Sequence, residues 1–392
     1  MKPFGSLNRM PAPIWIVIPT YWGDADDGIY DHPTPLDGTS TLPFLLDSLL
    51  KQDAPFDFET LILVSTTSPK YENAATARVQ QTLLPYRKKL NLHIADVEAA
   101  QFLHQELQSH SLNLGIVTMR SYAAVRNMQL LVPALMSAEI IIAIDDDEIV
   151  PTNYLKQAVK WIGKNYEGEK ITGIAGPYHN EDGSPYITEV EKVRNILVDK
   201  SVFMNQTMRQ LMEHPADLTK TPMALGGNMV FHRDLFTQVG FDPAITRGED
   251  IDYLINARIA GRSFYFDSKL TITHLPPRQF EAPKYAKMRQ DVIRFIYERE
   301  KIRSHNISAK ELLPYPGKLL EKNFIPAALE ALCSSATPEM IKKNGSPEEI
   351  VTEAQVYAKK HTQRYEMFST KWKKSMKILE HKSITLIDRI KY

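Results

Sequence analysis

Cysteine is almost absent: Cys333 is the only one in 392 residues. That excludes an internal disulfide framework and fits a reducing compartment. Long apolar runs are missing as well, since no uninterrupted stretch approaches the roughly 20 residues needed to span a bilayer. The opening MKPFGSLNRMPAP lacks the apolar core of a signal peptide, so a cytoplasmic protein is expected. Neither sign of charge is in excess, with 47 Lys+Arg against 47 Asp+Glu, and nothing global favours nucleic acid as a partner. Glycine-rich phosphate loops are lacking too. There is no G-x-G-x-x-G for a dinucleotide, and the nearest approach to a P-loop, GKNYEGEKIT, has Glu169 where the lysine belongs. Repeats and low-complexity segments are also absent. Hydrophobic content of 43% and charged content of 24% are ordinary for a globular protein. At roughly 100–200 residues per domain, the length leaves room for a large α/β domain and a smaller one.

What is present is an alternation of strands and helices. PIWIVIPTYW (13–22) and FETLILVSTTSP read as strands, with helical spacing in LPFLLDSLLKQ (42–52) between them. A helical stretch around 71–89, the strand NLHIADV (91–97) and the helix RSYAAVRNMQLLVPALMSA follow. The next segment is EIIIAIDDDEIVP (139–151), whose Ile140–Ile144 run reads as a strand buried on both faces. Such alternation implies βαβ units and a parallel sheet, in which ligands sit beyond the carboxyl ends of the strands. Asp145, Asp146 and Asp147 occupy such an end. Three adjacent carboxylates repel one another unless a cation or a set of donors sits among them; otherwise they form a plain solvated turn. An EF-hand calcium loop fails for want of the required glycine. Hard cations such as Mg²⁺ or Mn²⁺ bind through one or two carboxylates plus substrate phosphates, and a metal–diphosphate site is the remaining option.

Beyond 171 the chain reads ITGIAGPY, a loop with NEDGSP, a long helical stretch over 187–213, and then MALGGNMVFHRDLFTQVGFDP. SFYFDSKLTIT reads as one strand ahead of His274. After Pro277 the pattern is mostly helical, and YAKMRQDVIRFIYEREKIR places Tyr285, Met288, Val292, Phe295 and Ile296 on one face.

Taken in order, IVIPTYW, AAVRN, AIDDDEIVP, LGGNMVFHRDLFTQVGFDP, GEDIDYLINARIAG and FYFDSKLTITH resemble the segments of GT-A fold glycosyltransferases, close in pattern to family 2. The resemblance spans about residues 13–277. It implies a Rossmann-like, mainly parallel sheet flanked by helices over 10–280, with a helical C-terminal region over 281–392. It also implies transfer of one sugar from a nucleotide-diphosphate-sugar donor to an acceptor hydroxyl. On that resemblance Asp145 and Asp146 contact the donor together with Pro19, Thr20, Tyr21, Ser65 and Arg126. Asp147 and His274 hold a divalent metal, and Gly226, Gly227 and Asn228 face the acceptor. Asp250 and Glu249 are the catalytic acids, with Asp250 the inverting base. VSTTSP departs from the family's acidic turn after the second strand, and the loop after Tyr21 is longer than usual. The Gln-x-x-Arg-Trp signature of processive synthases is missing, so a single transfer is expected.

Other readings stay open at this point. Glu249 and Asp250 sit in a helix's first turn, where the macrodipole favours acids without any catalytic duty. A lone histidine is more often a core or surface residue than a ligand. A retaining GT-A enzyme acting on a glycerate-type or phosphorylated acceptor shares the same features, a nucleotidyltransferase uses similar carboxylates, and a non-catalytic nucleotide-sugar-binding module needs only the donor half. The basic residues of YEREKIRSHNISAK hint at an acidic acceptor, and an ordinary solvated helix end explains them equally well. In the tail 371–392, Trp372, Met376, Leu379, Leu386 and Ile390 lie near one face of a basic helix. That face suits peripheral contact with an anionic membrane at its inner face, or packing on the protein itself or on a second subunit in a homo-oligomer.

Overall fold

Alternate apolar residues set the centre of the fold. In the first strand Trp15 and Val17 enter one core while Ile14, Ile16 and Ile18 enter another on the opposite face. The acidic strand behaves likewise, with Ile141 and Ala143 on one side and Ile142 and Ile144 on the other. A sheet apolar on both faces has to be covered on both. The computed structural model, which describes residues 13–24, 30, 33–112, 117–187, 192–275, 284–379, 390 and 392, provides that cover. Helices Val97–Ser109 and Tyr122–Leu135 cover one face, and Leu42–Leu49 and Glu72–Leu83 cover the other.

The strands are β1 (Ile14–Trp22), β2 (Glu59–Thr66), β3 (Leu92–Ala95), β4 (Ile140–Ala143) and β5 (Glu148–Ile149). A hairpin of β6 (Asn165–Tyr166) and β7 (Glu169–Lys170) precedes β8 (Gly173–Ala175) and β9 (Tyr178–His179). The last are β10 (Thr219–Lys220), β11 (Met229–His232), β12 (Tyr265–Phe266) and β13 (Ile272–His274). Eight of them form one sheet in the order β10-β12-β8-β11-β4-β1-β2-β3. Pairs β1–β2, β2–β3, β1–β4 and β8–β12 are parallel, and β11 runs antiparallel between β4 and β8. A small sheet, β5-β13-β9, includes the strand that leaves the acidic turn.

Two registers assemble the site. Met229 pairs with Ala143, so residues 226–228 enter β11 beside the point where Asp145–Asp147 leave β4. His274 pairs with Glu148, which sets it next to Asp147.

Two sequence expectations are corrected. The stretch 263–273 is not one strand: the Asp267 carboxylate accepts the Lys269 amide (2.9 Å) and the Asp267 carbonyl accepts the Leu270 amide (3.1 Å). That turn breaks the segment into β12 in the main sheet and β13 in the small one, and so delivers His274 to the acids. The helix expected over 187–213 spans only Lys200–Met212. Asp199 takes the Arg194 and Asn195 amides and Asn195 takes the Leu197 amide, so side chains compete locally for donors a helix would use.

The helical region fits its periodicity. Tyr285, Met288, Val292, Phe295 and Ile296 are all buried on helix Lys284–Ser304. Helix Pro347–Leu379 returns to the sheet, where Tyr365, Phe368, Trp372, Met376 and Leu379 join one of its cores. The Trp372 indole donates to the Phe236 carbonyl at 2.9 Å, and its ring lies against Gly240, where a side chain would collide. Ile390 is buried with them, and Leu386 lies outside the described residues. The described part of the apolar stripe in 371–392 is therefore consumed by the protein's own core and offers no face to a membrane. Among the described residues no helix is long and apolar enough to cross one.

Candidate active site

Beyond the ends of β1 and β4, a cleft of about 120 Å³ is lined by Tyr21, Tyr30, Thr34, Thr39, Thr41, Tyr122, Arg126, Asp145, Asp146, Asp147 and His274. Its organising cation is Arg126, carried on the helix under the acidic turn and almost fully buried. Its Nη1 and Nη2 donate to the two Asp145 carboxylate oxygens at 2.8 and 2.9 Å, the bidentate geometry that suits guanidinium to carboxylate. Its Nε reaches Glu249 Oε1 at 3.4 Å. One arginine thus ties the acidic turn to the acid-bearing helix Glu249–Ile259. Gly226 leaves the space the guanidinium fills, since a Cβ there would collide with it.

Glu148 is buried beneath the turn, and its Oε2 accepts the Asp145 amide at 3.0 Å. Burial first, then Asp145 and Asp147, push its pKa well above the carboxylate range. Gly227 lies against this carboxyl and against Tyr178, whose hydroxyl accepts the Gly227 amide at 2.5 Å. Tyr178 also faces the His274 ring at 5.3 Å between centroids. His274 Nε2 stands 3.3 Å from Asp147 Oδ2. Burial would lower the histidine, but the hydrogen bond and charge of Asp147 outweigh it and its pKa is raised. Asp146 is buried and raised well above the carboxylate range by desolvation and by its two neighbours.

Glu249 is buried and Asp250 half-buried at the start of their helix. Desolvation pushes Glu249 up to about 7, with Asp250 adding to the rise and Arg126 opposing it. The Asp250 Oδ1 accepts the Ile251 amide at 2.8 Å. Opposite the acids, Tyr21, Tyr30 and Tyr122 form a wall with ring centroids 4.5, 5.0 and 5.4 Å apart. The Tyr21 hydroxyl is buried without a hydrogen-bond partner.

Several anticipated residues are engaged elsewhere. Pro19, Thr20 and Ser65 are buried and do not line the cleft. Thr20 donates to the Leu63 carbonyl at 2.9 Å, and Ser65 joins the Tyr30 hydroxyl (2.5 Å) and the Met119 carbonyl (2.7 Å). Asn228 is fully buried: its Nδ2 donates to the carbonyls of Pro177 (3.1 Å) and Leu270 (2.7 Å), and its Oδ1 accepts the Tyr154 hydroxyl at 2.9 Å. It pins the glycine turn. Glu148, Tyr178, Tyr30 and Tyr122 were not anticipated. Glu148 directly follows the three aspartates and could have been counted with them; nothing local marks Tyr178.

The arrangement joins Asp145 and Glu249 through one buried guanidinium and crowds Asp146, Asp147 and Glu148 against Asp145. Such a cluster fits a hard cation, and Asp147 with His274 offers an oxygen and a nitrogen side by side while leaving positions for phosphate oxygens. Among the described residues, no three His, Cys, Asp or Glu side chains converge as a ready-made metal cage.

The family profile described as "Glycosyltransferase like family 2" matches residues 95–291. No curated protein matches the chain. Among solved structures, a mannosyltransferase, PcManGT, from Pyrobaculum calidifontis in complex with GDP-Man and Mn²⁺ is 14% identical; the match covers 98% of this chain and 91% of that one, with a TM-score of 0.45. GalNAc-T7 with UDP, GalNAc and Mn²⁺ is 12% identical over 85% of this chain and 56% of that one, with a TM-score of 0.44.

Proposed function

The chain belongs to glycosyltransferase-like family 2, and on that premise we propose that it moves one sugar from a nucleotide-diphosphate sugar to an acceptor hydroxyl. The observation that carries this reading is the joining of the acidic turn to the acid-bearing helix through Arg126. In this reading Asp145 and Asp146 receive the donor beside the tyrosine wall. Asp147 and His274 would hold Mg²⁺ or Mn²⁺, which would supply charge to offset that on the departing diphosphate. Asp250, in the first turn of the helix that Glu249 ties to Arg126, takes the acceptor proton as the hydroxyl attacks from the face opposite the diphosphate, giving inversion. General-base assistance of this kind is worth roughly 10²–10⁴-fold. Glu249, tied to Arg126, holds the helix start in place. Gly226 and Gly227 shape the acceptor side, and residues 10–280 form the catalytic unit with 281–392 as its helical support.

The test is incubation with a panel of UDP- and GDP-sugars and Mg²⁺ or Mn²⁺. Release of nucleoside diphosphate is expected, with Asp147→Ala and His274→Ala each cutting metal-dependent turnover while thermal unfolding stays near wild type. Pyrophosphate release would instead make the protein a nucleotidyltransferase, and binding without turnover a binding module. NMR of the product should find an inverted anomeric configuration; retention sinks the role given to Asp250.

A further inference from the structure

Helix Lys284–Ser304 directs two buried cations at the acid-bearing helix. The Lys301 Nζ meets Asp252 Oδ1 at 2.5 Å and Asn256 Oδ1 at 3.0 Å. Two turns earlier on the same helix, Arg294 reaches Gly248. That glycine is left-handed, with φ of 71°, and any side chain on it would collide with the Arg294 guanidinium. The guanidinium therefore lies against the peptide that leads into Glu249 and Asp250. It is held from behind: Nε donates to Glu298 Oε1 at 2.8 Å, and Nη2 to the Tyr315 hydroxyl at 3.4 Å. Arg294 is 6% exposed, so this is a built contact and not a surface arginine at rest.

We infer that Arg294 is a positioning residue for Asp250: from outside the donor half of the site, it seats the Gly248 turn and fixes a positive charge beside the carboxylate. The functional weight of this rests on the reading of Asp250 as the base. The groups facing Asp250 are Glu249 beside it, Asp145 from the acidic turn, Arg126 from the helix under that turn, and Arg294 and Tyr315 from the helical region. Arg247, three residues back, contacts Asp291 at 3.7 Å. Burial raises Asp250 from its ordinary value, and Arg294 leads the charges that oppose the rise, ahead of Arg126. A base must be ionised to accept a proton. Without Arg294, Asp250 would hold its own proton to higher pH.

The direct measurement is a ¹³C-NMR titration of the Asp250 carboxyl, assigned by its loss in Asp250→Asn. Arg294→Gln should move the midpoint up by about one pH unit, the order of shift that loss of an opposing charge gives a buried carboxyl. Arg294→Lys, which keeps the charge, should return most of it. Because Arg294→Gln leaves Glu298 buried and unpaired, the double variant Arg294→Gln/Glu298→Gln is the version expected to fold, and it should move the midpoint by the same amount. A midpoint unmoved in both glutamine variants overturns the inference. The pH profile of donor hydrolysis, read as nucleoside diphosphate released to water, separates the two readings. Its acid limb should follow the NMR midpoint. A moved midpoint with an unmoved limb removes Asp250 as the base while leaving its coupling to Arg294 intact.

Discussion

Replacing Lys301 with methionine tests how the acid-bearing helix is held. The ammonium is fully buried and shared by Asp242 at 2.9 Å and Asp252 at 2.5 Å, with Asn256 at 3.0 Å. The Tyr297 hydroxyl also donates to Asp242 at 2.5 Å. Methionine fills similar volume but strands two buried carboxylates, and breaking a buried pair from one side costs about 3–5 kcal/mol. With an unfolding entropy of about 2.1 cal/mol/K per residue, that is a fall of about 4–6 °C in the unfolding midpoint for a chain of this length. The pH dependence has a definite sign. Asp252 already lies above its ordinary value because burial outweighs the pull of Lys301, and losing Lys301 raises it further. A carboxyl with a raised folded pKa binds more protons folded than unfolded, so its contribution to stability falls as pH rises above the unfolded value of about 3.9. The loss should therefore be larger at pH 8 than at pH 5. Thermal unfolding followed by tryptophan fluorescence at both pH values reads it. A variant within about 1 °C of wild type at pH 8, or one hurt more at pH 5, refutes this account of the anchor.

Gly227→Ala should drive a methyl group into the Glu148 carboxyl and the Tyr178 hydroxyl, shifting the seat of the Asp145 amide. The donor KM should rise by about tenfold or more, measured beside a circular dichroism spectrum that stays native. Arg126→Lys keeps the charge but cannot span both Asp145 oxygens and Glu249; turnover should fall at least about tenfold, and an unchanged kcat/KM would remove Arg126 from the site's architecture.

What was legible in the sequence follows from how this fold stores information. The two-faced apolarity of Ile140–Ile144 announces a central strand, and a central strand in a parallel sheet ends where ligands bind; the acids after it could be singled out once the strand–helix alternation around 139–151 implied such a sheet. The register that brings Gly226–Asn228 and His274 to that turn is not written in either segment. The family resemblance of its segment implied an acceptor contact for Asn228, yet its amide is used up between Pro177, Leu270 and Tyr154, partners 42 to 74 residues away. The same blindness applies to charge. Lys301 sits in YEREKIRSHNISAK, whose basic residues fit an acidic acceptor or a solvated helix end equally well, and periodicity cannot tell a snorkelling lysine from one sealed between two aspartates. Only the packing of helix Lys284–Ser304 on helix Glu249–Ile259 distinguishes them. Chemistry at strand ends is thus announced locally, whereas the supports that fix the protonation and position of that chemistry arrive from the far end of the chain.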